Sequence, residues 1–243
     1  MALNADEKAP GGDAGITFVS VAYFFFVICS YYVIKPIRGS LALELGSDNI
    51  PVLNILSMVS LVVANAVYSW IVGKYKRDIF IPFITRFFVV CLAIFWLIFT
   101  LIIPINEKTN AVTDSAAETF VSQSVAEQIE TDGKSDKSAV LRDPMDILYD
   151  FFKTVMIGVY YLWVNFFALM AVSMFWSFMN DVFTVDQGRR LYAIIGYGGL
   201  VGGLVGSALT SLLVKQVGTS NLFILAIILL YPSIWCMQYI HKS

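Results

Sequence analysis

The feature that most restricts this chain is a set of six apolar windows, each about long enough to cross a bilayer. They run over residues 16–34 and beyond, 50–72, 79–103, 155–175, 191–214 and 222–240. In lipid each must be a helix, because only then does every backbone N–H and C=O find a partner within its own segment. The sequence therefore predicts an all-α membrane protein with six transmembrane helices. Composition agrees, since 58% hydrophobic and 14% charged residues, with a mean hydropathy of +0.75, is far too apolar for a soluble domain of this length.

The windows divide the chain into a polar tail at residues 1–15, transmembrane helices 1 to 3 at 16–103, a hydrophilic loop at 104–146 and helices 4 to 6 at 147–243. The tail has acids (Asp6, Glu7, Asp13) and one cation (Lys8) but no basic n-region, so it predicts neither a cleaved signal nor a transit peptide. The loop is rich in Ser, Thr, Ala and acids. It predicts an exposed acidic segment with a short helix over 116–129 and disorder over 133–138. Cys29, Cys91 and Cys236 all lie in apolar runs and behave there as small hydrophobes, so no disulfide or metal site is expected.

Orientation follows from where the cations lie in each loop, not from the net charge of −2. Lys8, Lys74, Lys76, Arg77, Arg189, Arg190 and Lys242 share one side, against Lys108, Lys134, Lys137, Arg142, Lys153 and Lys215 on the other. Seven against six is no bias. The dense clusters of the two short loops then decide, and they predict both termini in the cytoplasm.

The first apolar segment carries two cations. Tyr31, Lys35 and Arg38 follow i, i+4, i+7 and so share one helix face, with Pro36 between the charges. A Lys or Arg near a bilayer centre costs roughly 2.5 to 3.5 kcal/mol on insertion scales, and such residues usually face a cavity that handles an ion or anionic substrate. The competing reading makes residues 16–34 a complete span, with Lys35 and Arg38 as anchors snorkelling at its edge. Placing the pair in an outer loop would tip the cation count against the orientation above, which favours a longer first helix, kinked at Pro36 and reaching about Glu44.

Other polar residues interrupt the spans. Asn54 and Asn65 lie on one stripe with Met58, Leu61 and Tyr68, a face expected not to meet lipid; interhelical hydrogen bonding is the plain account of Asn54. Arg86 falls about two turns into the third span, where it faces a cavity or snorkels to the surface. In the fourth span Asn165, Val172, Trp176 and Asn180 share a face, while Tyr160, Tyr161 and Trp163 near its outer end have the composition of an interfacial belt. In the fifth, Gly198, Gly202 and Gly206 recur at four-residue spacing, the signature of close helix packing. A phosphate loop is excluded, because the glycines repeat at helical spacing in an apolar run and no Lys-Ser/Thr follows.

These blocks together resemble a known family. Tyr31 Tyr32 Val33 Ile34 Lys35 Pro36 Ile37 Arg38, then Phe175 Trp176 Ser177 Phe178 Met179 Asn180 Asp181, then Asp186 Gln187 Gly188 Arg189 Arg190 Leu191 Tyr192 and the glycine-rich helix, are similar to the signatures of bacterial and plastid-type ATP/ADP translocases. These are nucleotide exchange carriers related to the major facilitator superfamily. The resemblance implies that Lys35 and Arg38 are the family's two first-helix cations. It also implies that six spans are the N-terminal half of a twelve-span carrier, built as three plus three. Pro36 and Gly39 stand where the better-studied nucleotide carriers tend to have acids, and the later helices hold no Glu matching the family's acidic transport residues.

The physics of the residues suits an anion. A di- or triphosphate in a low-dielectric cavity needs Arg or Lys partners with several donors. Lys35, Arg38 and Arg86 are the candidate cations, Asn65 and Asn180 the candidate neutral donors, and Tyr31, Tyr32 or Tyr160 the candidate ring to stack a base. The expected function is exchange of ATP, ADP or a related phosphorylated anion by alternating access across an inner membrane, with a second six-helix half or a second copy as partner. Two rivals stand beside it: a carrier of another solute on the same fold, and a truncated, non-transporting membrane subunit. Enzymatic chemistry is not expected, since the single His241 has no Ser/His/Asp set or metal-ligand pair around it. Neither a cofactor nor a nucleic-acid partner is expected.

Overall fold

The computed structural model describes residues 10–46, 49–74, 77–102 and 144–242. Among them are six helices long and apolar enough to cross a membrane: α1 (Pro10–Glu44), α2 (Ile50–Lys74), α3 (Arg77–Leu101), α4 (Pro144–Val182), α5 (Val185–Val217) and α6 (Leu222–Lys242). No strand occurs among the described residues.

Helix ends follow local chemistry. Pro10 opens α1, where its missing N–H is no loss, so the helix begins inside the stretch expected to be tail. It then runs unbroken through Pro36 to Glu44, the longer of the two first helices considered. α4 likewise starts at Pro144, so residues 144–146 are helix and not loop; the rest of the loop, with its expected short helix, lies outside the described residues. Thr184 and Gln187 form a reciprocal capping box at the start of α5. Gly46 (φ 94°) and Gly218 (φ 81°) follow α1 and α5 with backbone angles that side-chain-bearing residues rarely adopt.

The bundle is assembled around α1, whose principal neighbours are α5, α6 and α4. α2 packs mainly on α4, and α3 on α6 and α4. One core joins Ile34, Ile37, Phe88, Phe99, Phe167 and Phe223. A second, around Tyr23, Phe24, Phe175, Phe178 and Met179, includes a stacked Phe24–Phe175 pair with centroids 4.2 Å apart.

The α1–α5 contact is backbone against backbone. A Cβ placed on Gly198, Gly202 or Gly206 would lie 2.5–2.6 Å from the carbonyl oxygens of Val21, Phe25 and Cys29 respectively. Both series rise by four residues in the same sense, so α1 and α5 run parallel, as the first and fifth spans of a serial bundle must. The small-residue stripe is thus a close helix interface. Gly203 and Gly206 also seat the side chain of Tyr32, whose ring and Cβ pass within about van der Waals distance of where a methyl would be.

The expected consequence is position-specific. Gly202→Ala should lower thermal stability in detergent by about 1–3 kcal/mol as α1 and α5 are pushed apart. Gly196→Ala, where a Cβ meets nothing within 4 Å, should be neutral or stabilising by up to about 1 kcal/mol through helix propensity. Equal melting shifts for the two variants would contradict this packing.

Candidate functional site

Arg38 lies where α1, α2 and α4 meet, about 9 Å along the helix from Glu44 at 1.5 Å per residue. Its side chain is turned toward α4. One Nη1–H donates to Oδ1 of Asn165 on α4, and the guanidinium lies over the Tyr161 ring, 4.8 Å from its centroid. Its Nε is buried and has no hydrogen-bond partner among the described residues.

Asn165 is itself held on its other side. Because Arg has donors only, the amide must turn Oδ1 toward it, leaving Nδ2 to donate elsewhere. Nδ2 donates to Ser57 Oγ on α2 at 2.9 Å and to the Tyr161 carbonyl at 3.2 Å. The Tyr161 hydroxyl donates to Asn54 Oδ1 at 2.6 Å. Four uncharged side chains from two helices therefore frame one cation. The interhelical hydrogen bond expected of Asn54 is present.

Lys35, one turn earlier, is half-buried with Nζ 5.4 Å from the Tyr32 ring centroid. Tyr31 packs edge-on against Tyr32 at 5.5 Å and is also half-buried. Toward the ends of the two helices, Lys153 of α4 and Glu44 of α1 form an ion pair at 2.5 Å. Since Arg38 meets Asn165 while the later Glu44 meets the earlier Lys153, α1 and α4 run antiparallel.

The other residues singled out in the sequence lie elsewhere. Tyr160 is fully buried, packed among Phe95, Phe99 and Phe223, with its hydroxyl donating to the Ile34 carbonyl at 3.4 Å. It is a core residue, and with Tyr161 also buried the pair is no interfacial belt. Arg86 is exposed on the α3 face that carries Phe83, Phe87 and Val90, while Thr85 and Phe88 turn inward. Asn180 is exposed and accepts from Tyr192 at 2.8 Å. Fifteen residues separate it from Asn165, about 22 Å of helix. Asn65 is exposed on α2, about 16 Å along that helix from Asn54. Lys35, Arg38 and Tyr31 share one stretch of α1, with Tyr160 packed behind it in the core, while Arg86, Asn65 and Asn180 lie elsewhere.

Sequence reasoning passed over Tyr161 and Asn165 as partners of Arg38, and Ser57 as the partner of Asn165. The available signal was an amide in mid-span, since a polar side chain at that depth has to find another polar group.

Two cations one turn apart on a long apolar helix thus each lie beside an aromatic ring, and Arg38 is also hydrogen-bonded by an amide. A family model described as TLC ATP/ADP transporter matches residues 16–229. The chain belongs to that family. Among curated relatives, the TLC chain is 24% identical over 182 residues to ADP,ATP carrier protein 2 of Chlamydia pneumoniae, covering 72% of this chain and 29% of the relative. It therefore matches less than a third of that protein's length. No solved structure matches it.

The Tyr161–Asn54 bond gives a direct test of the framing. Tyr161→Phe and Asn54→Ala should be coupled by about 0.6 kcal/mol, and at most about 1.7, in a double-mutant cycle of thermal unfolding. Additive effects would mean that the bond does not link α2 to α4.

Proposed function

We propose that this TLC-family chain forms half of a nucleotide exchange carrier and supplies its anion-binding cations from α1. The observation that carries the reading is Arg38, held inside the helix bundle by Asn165 and Tyr161 with donor capacity to spare. In this reading Arg38 and Lys35 receive phosphate oxygens, and Tyr31 stacks the base. Arg86, Asn65 and Asn180 stand outside the anion site, and Tyr160 buttresses it from the core.

Six spans arranged as three plus three line one wall of a cavity. A second six-helix half, or a second copy of the chain, closes the other wall and rocks against it for alternating access. The exposed apolar side chains of α2, among them Val52, Ile55, Val59 and Val62, are available to that partner or to lipid. The carrier sits in a bacterial inner membrane with both termini cytoplasmic, as the basic short loops favour. Its work is translocation, with no bond made or broken by the protein.

The test is uptake of labelled ATP into liposomes preloaded with ADP. Arg38→Ala is expected to abolish uptake with membrane expression intact. Arg38→Lys should retain a fraction, because an ammonium keeps the charge but not the planar fork of donors. Unchanged uptake in Arg38→Ala would remove the residue from the mechanism. Displacement by inorganic phosphate or organic anions but not by nucleotides would make the chain a carrier for another solute.

A further inference from the structure

The partners of Arg38 among the described residues are all uncharged. Asn165 supplies an amide oxygen, Tyr161 a ring, and the amide is tied to Ser57. A cation fixed inside a membrane bundle is usually paired with a carboxylate, because an ion pair offsets part of the desolvation cost. Glu44, the acid nearest to Arg38 along α1, is engaged by Lys153 instead. Among the described residues Glu44 and Lys153 thus form a closed pair, while Arg38 is met by an amide and a ring and not by that carboxylate.

We propose that Asn165 is a positioning residue that aims Arg38 without neutralising it, so that its amide, being no acid, keeps the site selective for anions. This rests on the anion-carrier reading above. The amide accepts the same hydrogen bond that a carboxylate would, and it fixes the guanidinium plane over Tyr161. What it withholds is the negative charge, which an incoming phosphate then supplies. The bond to Ser57 makes this arrangement depend on α2, so displacing α2 relative to α4 would release the amide and with it the aim of Arg38.

Asn165→Asp separates geometry from charge. It keeps an oxygen facing Arg38 in nearly the same shape but supplies an internal counter-ion. Asn165→Ala removes the oxygen and adds no charge. For the purified full chain in liposomes, ATP uptake is expected to rank wild type, then Ala, then Asp, with losses of about fivefold for Ala and fiftyfold or more for Asp, the larger loss reflecting a charge-assisted bond already made internally. Melting temperature in detergent without nucleotide should rank the other way, with Asp at or above wild type and Ala below it. A residue that merely holds helices together would move uptake and melting in the same direction.

If Asp is as active as wild type, or milder than Ala in uptake, the inference is overturned. If the wild-type chain takes up no ATP even when reconstituted with its second half, the nucleotide reading fails; in either case binding of pyrophosphate with the two melting temperatures decides the inference: pyrophosphate binding lost in Asp with a raised melting temperature supports it, and Asp melting no higher than Ala overturns it. If Asp does not reach the membrane, Asn165→Leu carries the test. A KM for ATP raised about fivefold at unchanged kcat, as loss of one charge-assisted bond implies, supports the inference; an unchanged KM overturns it.

Discussion

A guanidinium in an apolar bundle must be solvated by something, and here the protein itself does most of that work. Arg cannot shed its proton, so the group at position 38 is charged wherever it lies. Left to lipid it would bear a cost of several kcal/mol or drag its head to the interface. Instead it has an amide oxygen and an aromatic face, with Nε buried and unbonded. In the carrier proposed above, that partial satisfaction is what lets the group take a substrate's oxygens, since full pairing with a carboxylate would leave little for a substrate to contribute.

Everything else in the bundle holds that group in place. The close α1–α5 seam, with glycines against the carbonyls of Val21, Phe25 and Cys29, fixes α1 along its first half. The same stripe continues under Tyr32 and so sets the ring over which Lys35 lies. Beyond Pro36, which has no N–H to give to the Tyr32 carbonyl, the helix is held by Ile37 and Leu41 in the core and by the Glu44–Lys153 pair. α4 carries the framing residues, and α2 reaches the site through Ser57 and Asn54. The least buried of the six spans is therefore tied into the site by hydrogen bonds more than by packing, which makes it the element best placed to respond to a partner or a substrate.

Much of this was legible beforehand, and what escaped has a common cause. Apolar windows gave the six spans, the balance of cations between the loops favoured a long first helix, and the four-residue glycine repeat gave a close interface, because all three can be read along one chain without aligning its helices. The surroundings of Arg38 depend on how three helices align, and periodicity along one chain cannot supply that register. Asn165 could be placed on a face but not opposite Arg38. Arg86 shows the complementary case, since a cation two turns into a span has the same sequence signature whether it looks into its own bundle or out of it, as it does here. Tyr160 shows a third: an aromatic near a predicted membrane boundary sits in the core because α4 extends well beyond its apolar window, so the boundary estimated from hydropathy lay too close to it.

The central claim is that the Lys35–Arg38 face of α1 looks into water shared with an anion. Gly39 lies one turn beyond Lys35 on that face, is exposed, and has nothing within 4 Å of where a Cβ would be, so a cysteine fits there. With Cys29, Cys91 and Cys236 replaced, Gly39→Cys should react with a charged, membrane-impermeant thiol reagent, and saturating ATP should slow that reaction. Labelling confined to lipid-soluble maleimides, at a rate indifferent to nucleotide, would place the face against the bilayer and contradict the account.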